Sequence, residues 1–232
     1  MGTIRKNEKN LTAQEWADFI DAINKTHGMG IAAPRYRDFV AVHVRAMNPS
    51  DMEGMSWAVH SMRGMSGRNF LAWHRHFVYR LEQRLQKIHK NVTIPYWDPV
   101  VNRRIPPALD NASLMASWGI TRSWNPNGLP SAGDLSALSS FNTFTAFQSA
   151  LEGAMHASVH IAVGGNMSGA SSPSDPLFWL HHANIDRLWA SWQSKHASAN
   201  PSNLTEILKP KPIMGVKVSA TIKISSLGYS YA

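Results

Sequence analysis

Apolar positions recur at helical spacing in five stretches of the chain. Trp16, Phe19, Ile20 and Ile23 follow Thr12-Ala13-Gln14-Glu15, a capping-box pattern, and predict a first helix ending near His27. Tyr36, Phe39, Val40, His43 and Met47 share one side of a second helix over 36–47. The clearest stripe is Phe70, His74, Phe77, Leu81, Leu85 and Ile88, which steps by four and three along a third helix. A fourth helix is read over roughly 142–162, and a fifth runs from Asp175-Pro176 to about His196. Between the second and third, 48–68 is rich in Met and punctuated by Gly, a long loop with room for one short helix. From 93 to 140 six prolines (Pro95, Pro99, Pro106, Pro107, Pro126 and Pro130) break any regular element, so this stretch is read as a long, functional loop. A Gly/Ser/Pro loop over 164–173 joins the fourth and fifth helices, and Val216, Val218, Ala220, Ile222 and Ile224 alternate as a short strand near the C-terminus. With no internal repeat and no linker, the expectation is one mainly α domain over 1–232.

Composition narrows the class. With 232 residues, 44% hydrophobic and 16% charged, the chain can bury one sizeable core. The absence of Cys excludes disulfides, zinc knuckles, iron–sulfur clusters and thiol catalysis. No apolar run reaches the roughly 18 residues of a membrane span, and the opening residues carry no signal-peptide pattern. The location stays open: cytoplasmic, or exported after removal of a leader or with a carrier. The net charge of +8 favours anionic surfaces in general, but the basic residues are spread out and no base-reading motif appears, so no nucleic-acid partner is expected.

The chemistry lies in the histidines, eleven in number. His156 and His160, at i and i+4, project from one helical face, and Glu152 continues that face one turn earlier. Either His181 or His182 can face inward from the fifth helix. His43 and His74 lie on the apolar stripes of their own helices, with His60 in the loop between them. His76 lies about 200° around the third helix from His74, so the two cannot both face one core. A lone core histidine is ordinarily a hydrogen-bonded structural residue, but several gathered in one apolar bundle need a shared partner. An imidazole-only ligand set suits copper, zinc, nickel or iron.

At this level of detail the chain resembles a family. Phe70-Leu71-Ala72-Trp73-His74-Arg75 with Glu82, and Asp175-Pro176-Leu177-Phe178-Trp179-Leu180-His181-His182 with Asp186, resemble the two copper motifs of the type 3 copper proteins: tyrosinases, catechol oxidases and haemocyanins. Pro95-Tyr96-Trp97-Asp98 and Leu151-Glu152-Gly153 ahead of His156 are similar to the family too, as are Arg5 and Tyr229-Ser230-Tyr231. The likeness is strongest to compact, Cys-free bacterial tyrosinases. It implies a four-helix bundle holding two copper ions, CuA on His43, His60 and His74 and CuB on His156, His160 and His182, with dioxygen as co-substrate. It also implies oxidation of o-diphenols, with hydroxylation of monophenols, to o-quinones, the chemistry that feeds melanin. Small phenols are the expected partners, a copper-loading chaperone is admissible, and the oligomeric state is open. The alternative within the same family is dioxygen binding without turnover, as in a haemocyanin.

Three departures from the family pattern bear on activity. The second CuA ligand usually stands nine residues before the third, where this chain has Met65; His60 stands fourteen before His74 and seventeen after His43. His60 on a lengthened loop is the preferred ligand, a Met65 thioether the alternative. Ala157 replaces the Asn that commonly follows the first CuB ligand and that holds, with the glutamate, a proton-accepting water, which ranks diphenol (or o-aminophenol) oxidation slightly above monophenol hydroxylation. The position that gates access over CuB falls near Gly169, giving an open mouth. Glu152 is the candidate for orienting water or taking a proton. Phe178, His181 and Asp186 are expected to fix ligand orientation and packing, Asp186 by pairing with an imidazole or an arginine. The cluster of Met47, Met52, Met55, Met62 and Met65 is read as flexible filler around a loop rather than a copper-loading path.

Overall fold

The computed structural model describes residues 2–28, 32–62 and 64–232. Strand β1 (Thr3–Arg5) precedes α1 (Ala13–His27), whose capping box closes as Glu15 N–H donates to Thr12 Oγ1 and Thr12 N–H donates to Glu15. Then come α2 (Tyr36–Met47), the short α3 (Met52–Ser56) and α4 (Phe70–Leu85). The fourth predicted helix is one continuous helical run of three parts: α7 (Phe144–Ala150), a π-helical segment (Leu151–Ala157) and α8 (Ser158–Val163). Helix α9 (Leu177–Lys195) completes the bundle, and β2 (Tyr229–Tyr231) pairs in parallel with β1, Thr3 opposite Tyr229 and Arg5 opposite Tyr231. Among the described residues, no helix is long and apolar enough to cross a membrane.

Helices α4 and α9 pack along each other at the centre, and residues 70–78 and 177–186 are buried without a break. A helix buried on every side has no polar face to spend, which overturns one expectation. His76 is buried like His74, at 4% exposed, on a helix that α1, α9 and the tail turn Val218–Thr221 all pack against. Burial, with Arg80 adding to it, pushes His76 down to about 4, so it is packed as a neutral ring.

Two further corrections concern local structure. The loop over 93–140 contains two short helices, α5 (Ala112–Trp118) and α6 (Ala132–Ala137), capped by the Asn111 and Ser131 side chains. Gly119, in the left-handed region at φ 66°, ends α5. The tail over 215–224 forms no strand. Val218–Thr221 is a 3-10 turn that docks Val218 and Thr221 on α4. The alternation gets no further than a single antiparallel bridge, Lys217 with Ile207, and beyond it the carbonyls of Thr221 and Ile222 accept from Arg75 Nη1 at 3.1 and 2.7 Å. The strand near the C-terminus is β2, a few residues later.

Candidate metal centre

The bundle brings seven imidazoles together. His43 comes from α2, His60 from the loop after α3 and His74 from α4. One nitrogen from each of the three lies within 4.8 Å of the others. His156 stands on the π segment, His160 on α8, and His181 and His182 on α9. Four rings are tethered in the same way, their Nδ1–H groups donating to backbone carbonyls. His43 donates to Ala170 at 2.7 Å, His74 to Phe70 at 2.9 Å, His156 to Glu152 at 3.1 Å and His160 to Met167 at 2.6 Å. That bond fixes the tautomer and leaves each Nε2 with a lone pair aimed inward, the state a metal requires.

The Nε2 atoms converge. His43 Nε2 lies 3.3 Å from His60 Nε2, and His160 Nε2 lies 3.4 Å from His182 Nε2. The two groups touch where the His74 and His182 rings stack at 4.2 Å. Burial first, then the neighbouring imidazoles, drives His43, His74, His156 and His182 well below the usual histidine value, and burial brings His160 to about 4. All are therefore neutral at pH 7. The buried Nε2 atoms of His74 and His156 have no hydrogen-bond partner. Leaving such atoms unpaired costs free energy, which a cation would offset. Neutral, tethered, converging imidazoles with orphaned lone pairs fit two copper ions.

Both members of the α9 pair reach this centre. His182 presents Nε2 to His160, whereas His181 lies parallel to His156 at 5.5 Å with neither ring nitrogen bonded. His156, His160 and His181 also bring one nitrogen each within 4.8 Å of one another. Phe178, one turn before His182, packs its ring 4.1 Å from His182 and 5.2 Å from His43. Met65 is 41% exposed in a turn with Met62, while His60 is buried and brings a ring nitrogen within 4.8 Å of His43 and His74.

A cleft of about 180 Å³ opens over the rings between Met47, Ala157, Ile161, Met167 and Gly169. Ala157 and Gly169 therefore stand at the mouth, and Met47 leaves the filler cluster to line it. Ile161, 71% exposed, was not anticipated. Its signal was positional, since it follows His160 as Ala157 follows His156. Glu152 does not line the cleft. Its carboxylate accepts from Ser61 N–H at 2.7 Å and from Ser61 Oγ–H at 2.8 Å, and stands 3.7 Å from His60 Nδ1.

Asp186 touches no imidazole. It accepts from Arg75 Nε, from Arg5 Nη1 at 3.3 Å, and from the Tyr229 and Tyr231 hydroxyls at 2.5 and 2.6 Å. Arg5 in turn donates to both oxygens of Glu82 at 2.9 and 3.2 Å. This buried network ties the paired terminal strands to α4 and α9, the helices that carry His74 and His182.

Two facing sets of histidines inside a helix bundle are the hallmark of a type 3 copper protein. Comparison with known proteins gives the particular family. The model of the common central domain of tyrosinase matches residues 33–127 and 103–195. Tyrosinase of Streptomyces antibioticus is 29% identical over 90% of this chain and 92% of its own length, and that of Streptomyces galbus is 30% identical over 85% of each. A functional unit of octopus haemocyanin superposes with a TM-score of 0.80 at 24% identity, covering 99% of this chain and 68% of that one. The chain belongs to the tyrosinase family, as a dinuclear copper oxidase of tyrosinase type, and the family implies two copper ions.

Proposed function

We propose that this chain oxidises small o-diphenols with dioxygen to o-quinones, using copper held by His43, His60 and His74 and by His156, His160 and His182. The observation that carries the reading is the convergence of two sets of imidazoles beneath an open cleft. Two catechols and one dioxygen give two o-quinones and two waters. Bound copper supplies the exchange of electrons between phenol and dioxygen. The protein supplies the rest. Carbonyl-tethered rings hold two lone-pair sets in register, which avoids reorganisation during turnover. Met47, Ala157 and Ile161 offer an apolar slot for a phenol ring, and Gly169 leaves it uncovered. His182 is preferred to His181 as the third CuB ligand because its Nε2 faces that of His160.

Among the described residues, no carboxylate lines the cleft. Both Glu152 oxygens are taken by Ser61, and Ala157 has no polar atom with which to hold a water. Hydroxylation of a monophenol has to remove the phenolic proton at a defined point, so this arrangement supports diphenol oxidation ahead of it. The open mouth supports turnover over dioxygen storage. Oxygen uptake by the copper-loaded protein on 4-methylcatechol and then on p-cresol tests the reading, with metal-free protein as blank. Rapid uptake with the catechol and slower uptake with the cresol is expected. Equal rates would overturn the ranking, and no uptake with either, at two coppers per chain, would overturn the oxidase.

A further inference from the structure

His60, like His182, has no hydrogen bond from Nδ1 to a carbonyl, but His182 stands on a helix and His60 on a loop. Among the described residues between His60 and α4, Met62 and Met65 exchange two backbone hydrogen bonds, of 3.2 and 2.8 Å, and Gly67 N–H donates to Ser61 Oγ at 3.1 Å, which forms a base. The two ends meet so closely that a Cβ on Gly67 would stand 2.6 Å from Ser61 N and 2.7 Å from the His60 carbonyl carbon.

Two side chains of the opposite helix hold this base. Glu152 takes the Ser61 N–H and hydroxyl. Gln148, one turn earlier, donates from Nε2 to the Gly67 carbonyl at 3.2 Å and accepts from Leu71 N–H at 3.2 Å. Ser61 follows His60 directly, and Leu71 lies three residues before His74. The grip therefore reaches the chain beside two of the three CuA candidates from the helix that carries His156.

We propose that Glu152 is a positioning residue which, with Gln148, clasps Ser61 and Gly67 together and so sets His60 from the CuB side of the bundle. The lengthened spacing from His60 to His74 is thereby made harmless, because the two ends of the extra residues are fastened to each other. Assembly of the A site then depends on a helix that supplies none of its ligands. This inference rests on the dicopper reading above.

The test is copper per chain, together with the paramagnetic signal of an isolated Cu(II), in wild type, Glu152→Ala, Glu152→Gln, Ser61→Ala and Gly67→Ala. Outer-shell partners of metal ligands are worth about 10–100-fold in metal affinity. Wild type should hold two coppers. Glu152→Ala and Gly67→Ala should fall toward one, with the signal of a lone Cu(II), the second because its added methyl would meet the backbone of Ser61 and His60 at that base. Glu152→Gln should keep two, because its amide oxygen still accepts from Ser61 N–H and its NH₂ can donate to Ser61 Oγ. Ser61→Ala, an exposed change that leaves the fold alone, should weaken one site by a smaller factor. Two coppers in Glu152→Ala with no lone-ion signal would overturn the clasp while leaving the dicopper reading intact. A loss in Glu152→Gln as deep as in Glu152→Ala would overturn it too, since the carboxylate charge would then be what matters. A wild type that never holds two coppers would refute the dicopper reading, and the clasp with it.

Discussion

Replacing Asp186 by Asn keeps the shape of the side chain and removes one charge from a buried set of four: Arg5, Arg75, Glu82 and Asp186. Arg5 would keep its two bonds to Glu82. Arg75 would lose its only carboxylate and retain Gln193 at 3.0 Å, two carbonyls and the Trp189 ring 3.6 Å beneath it, with Nη2 already unpaired. The new NH₂ would also point a donor at the guanidinium of Arg5 or at a tyrosine hydroxyl. Breaking one partner out of a buried charge pair costs about 3–5 kcal/mol. In a chain of this size each kcal/mol moves the melting temperature by about 2–4 °C, so a fall of roughly 6–20 °C is expected. The exposed pair of Lys25 and Asp21, at 2.7 Å, is the control, and Asp21→Asn should cost under about 1 kcal/mol. The pH dependence follows with a definite sign. Burial alone would raise the Asp186 carboxyl, but Arg75 first, then Arg5 and the two tyrosines, outweigh it and hold it below the usual value. A depressed carboxylate contributes stability that is present above its unfolded value of about 3.9 and is lost as pH falls through the folded one. Thermal unfolding followed by circular dichroism at pH 7 and at pH 3 checks both parts. A variant within about 1 kcal/mol of wild type at pH 7, or a gap between the two that does not shrink in acid, would refute the reasoning.

Two further outcomes test the site. His182→Ala should reduce copper to one per chain and His181→Ala should leave two, read by metal analysis; the reverse would hand the third CuB position to His181, whose nitrogens also reach His156 and His160. Gly169→Phe should leave copper at two, because a Cβ there meets nothing closer than Asn166 O at 3.8 Å, yet it should cut kcat/KM for 4-tert-butylcatechol about tenfold more than for catechol. Equal losses on both substrates would show that Gly169 does not shape the mouth.

The parts of this protein legible in the sequence are those whose physics is local. Helix α2 begins and ends where its stripe does, and the capping box of α1 forms as read, because in each the deciding residues lie within a turn or two. The signals of α5 and α6 were local as well, in Asn111, Gly119 and the Ser131–Asp134 pair, but the surrounding prolines masked them. Other features depended on what arrives from far along the chain. His76 is buried on a helix packed by α1, α9 and the tail, and the 215–224 alternation makes only one bridge, Lys217 with Ile207, before a 3-10 turn whose last carbonyls Arg75 takes. Family resemblance placed Arg5 against Tyr231, and the structure adds that Asp186 is the group they share.

Glu152 is the instructive case. Its spacing from His156 put it on the right face of the right helix, and the expectation of a free base beside the cleft followed from that. What its carboxylate meets is a serine 91 residues earlier, on a loop whose length no periodicity governs. Both of its bonds go to the residue next to His60, so the carboxylate that spacing placed near the cleft anchors the loop bearing a candidate ligand, and Ala157 at the mouth adds no polar atom beside it.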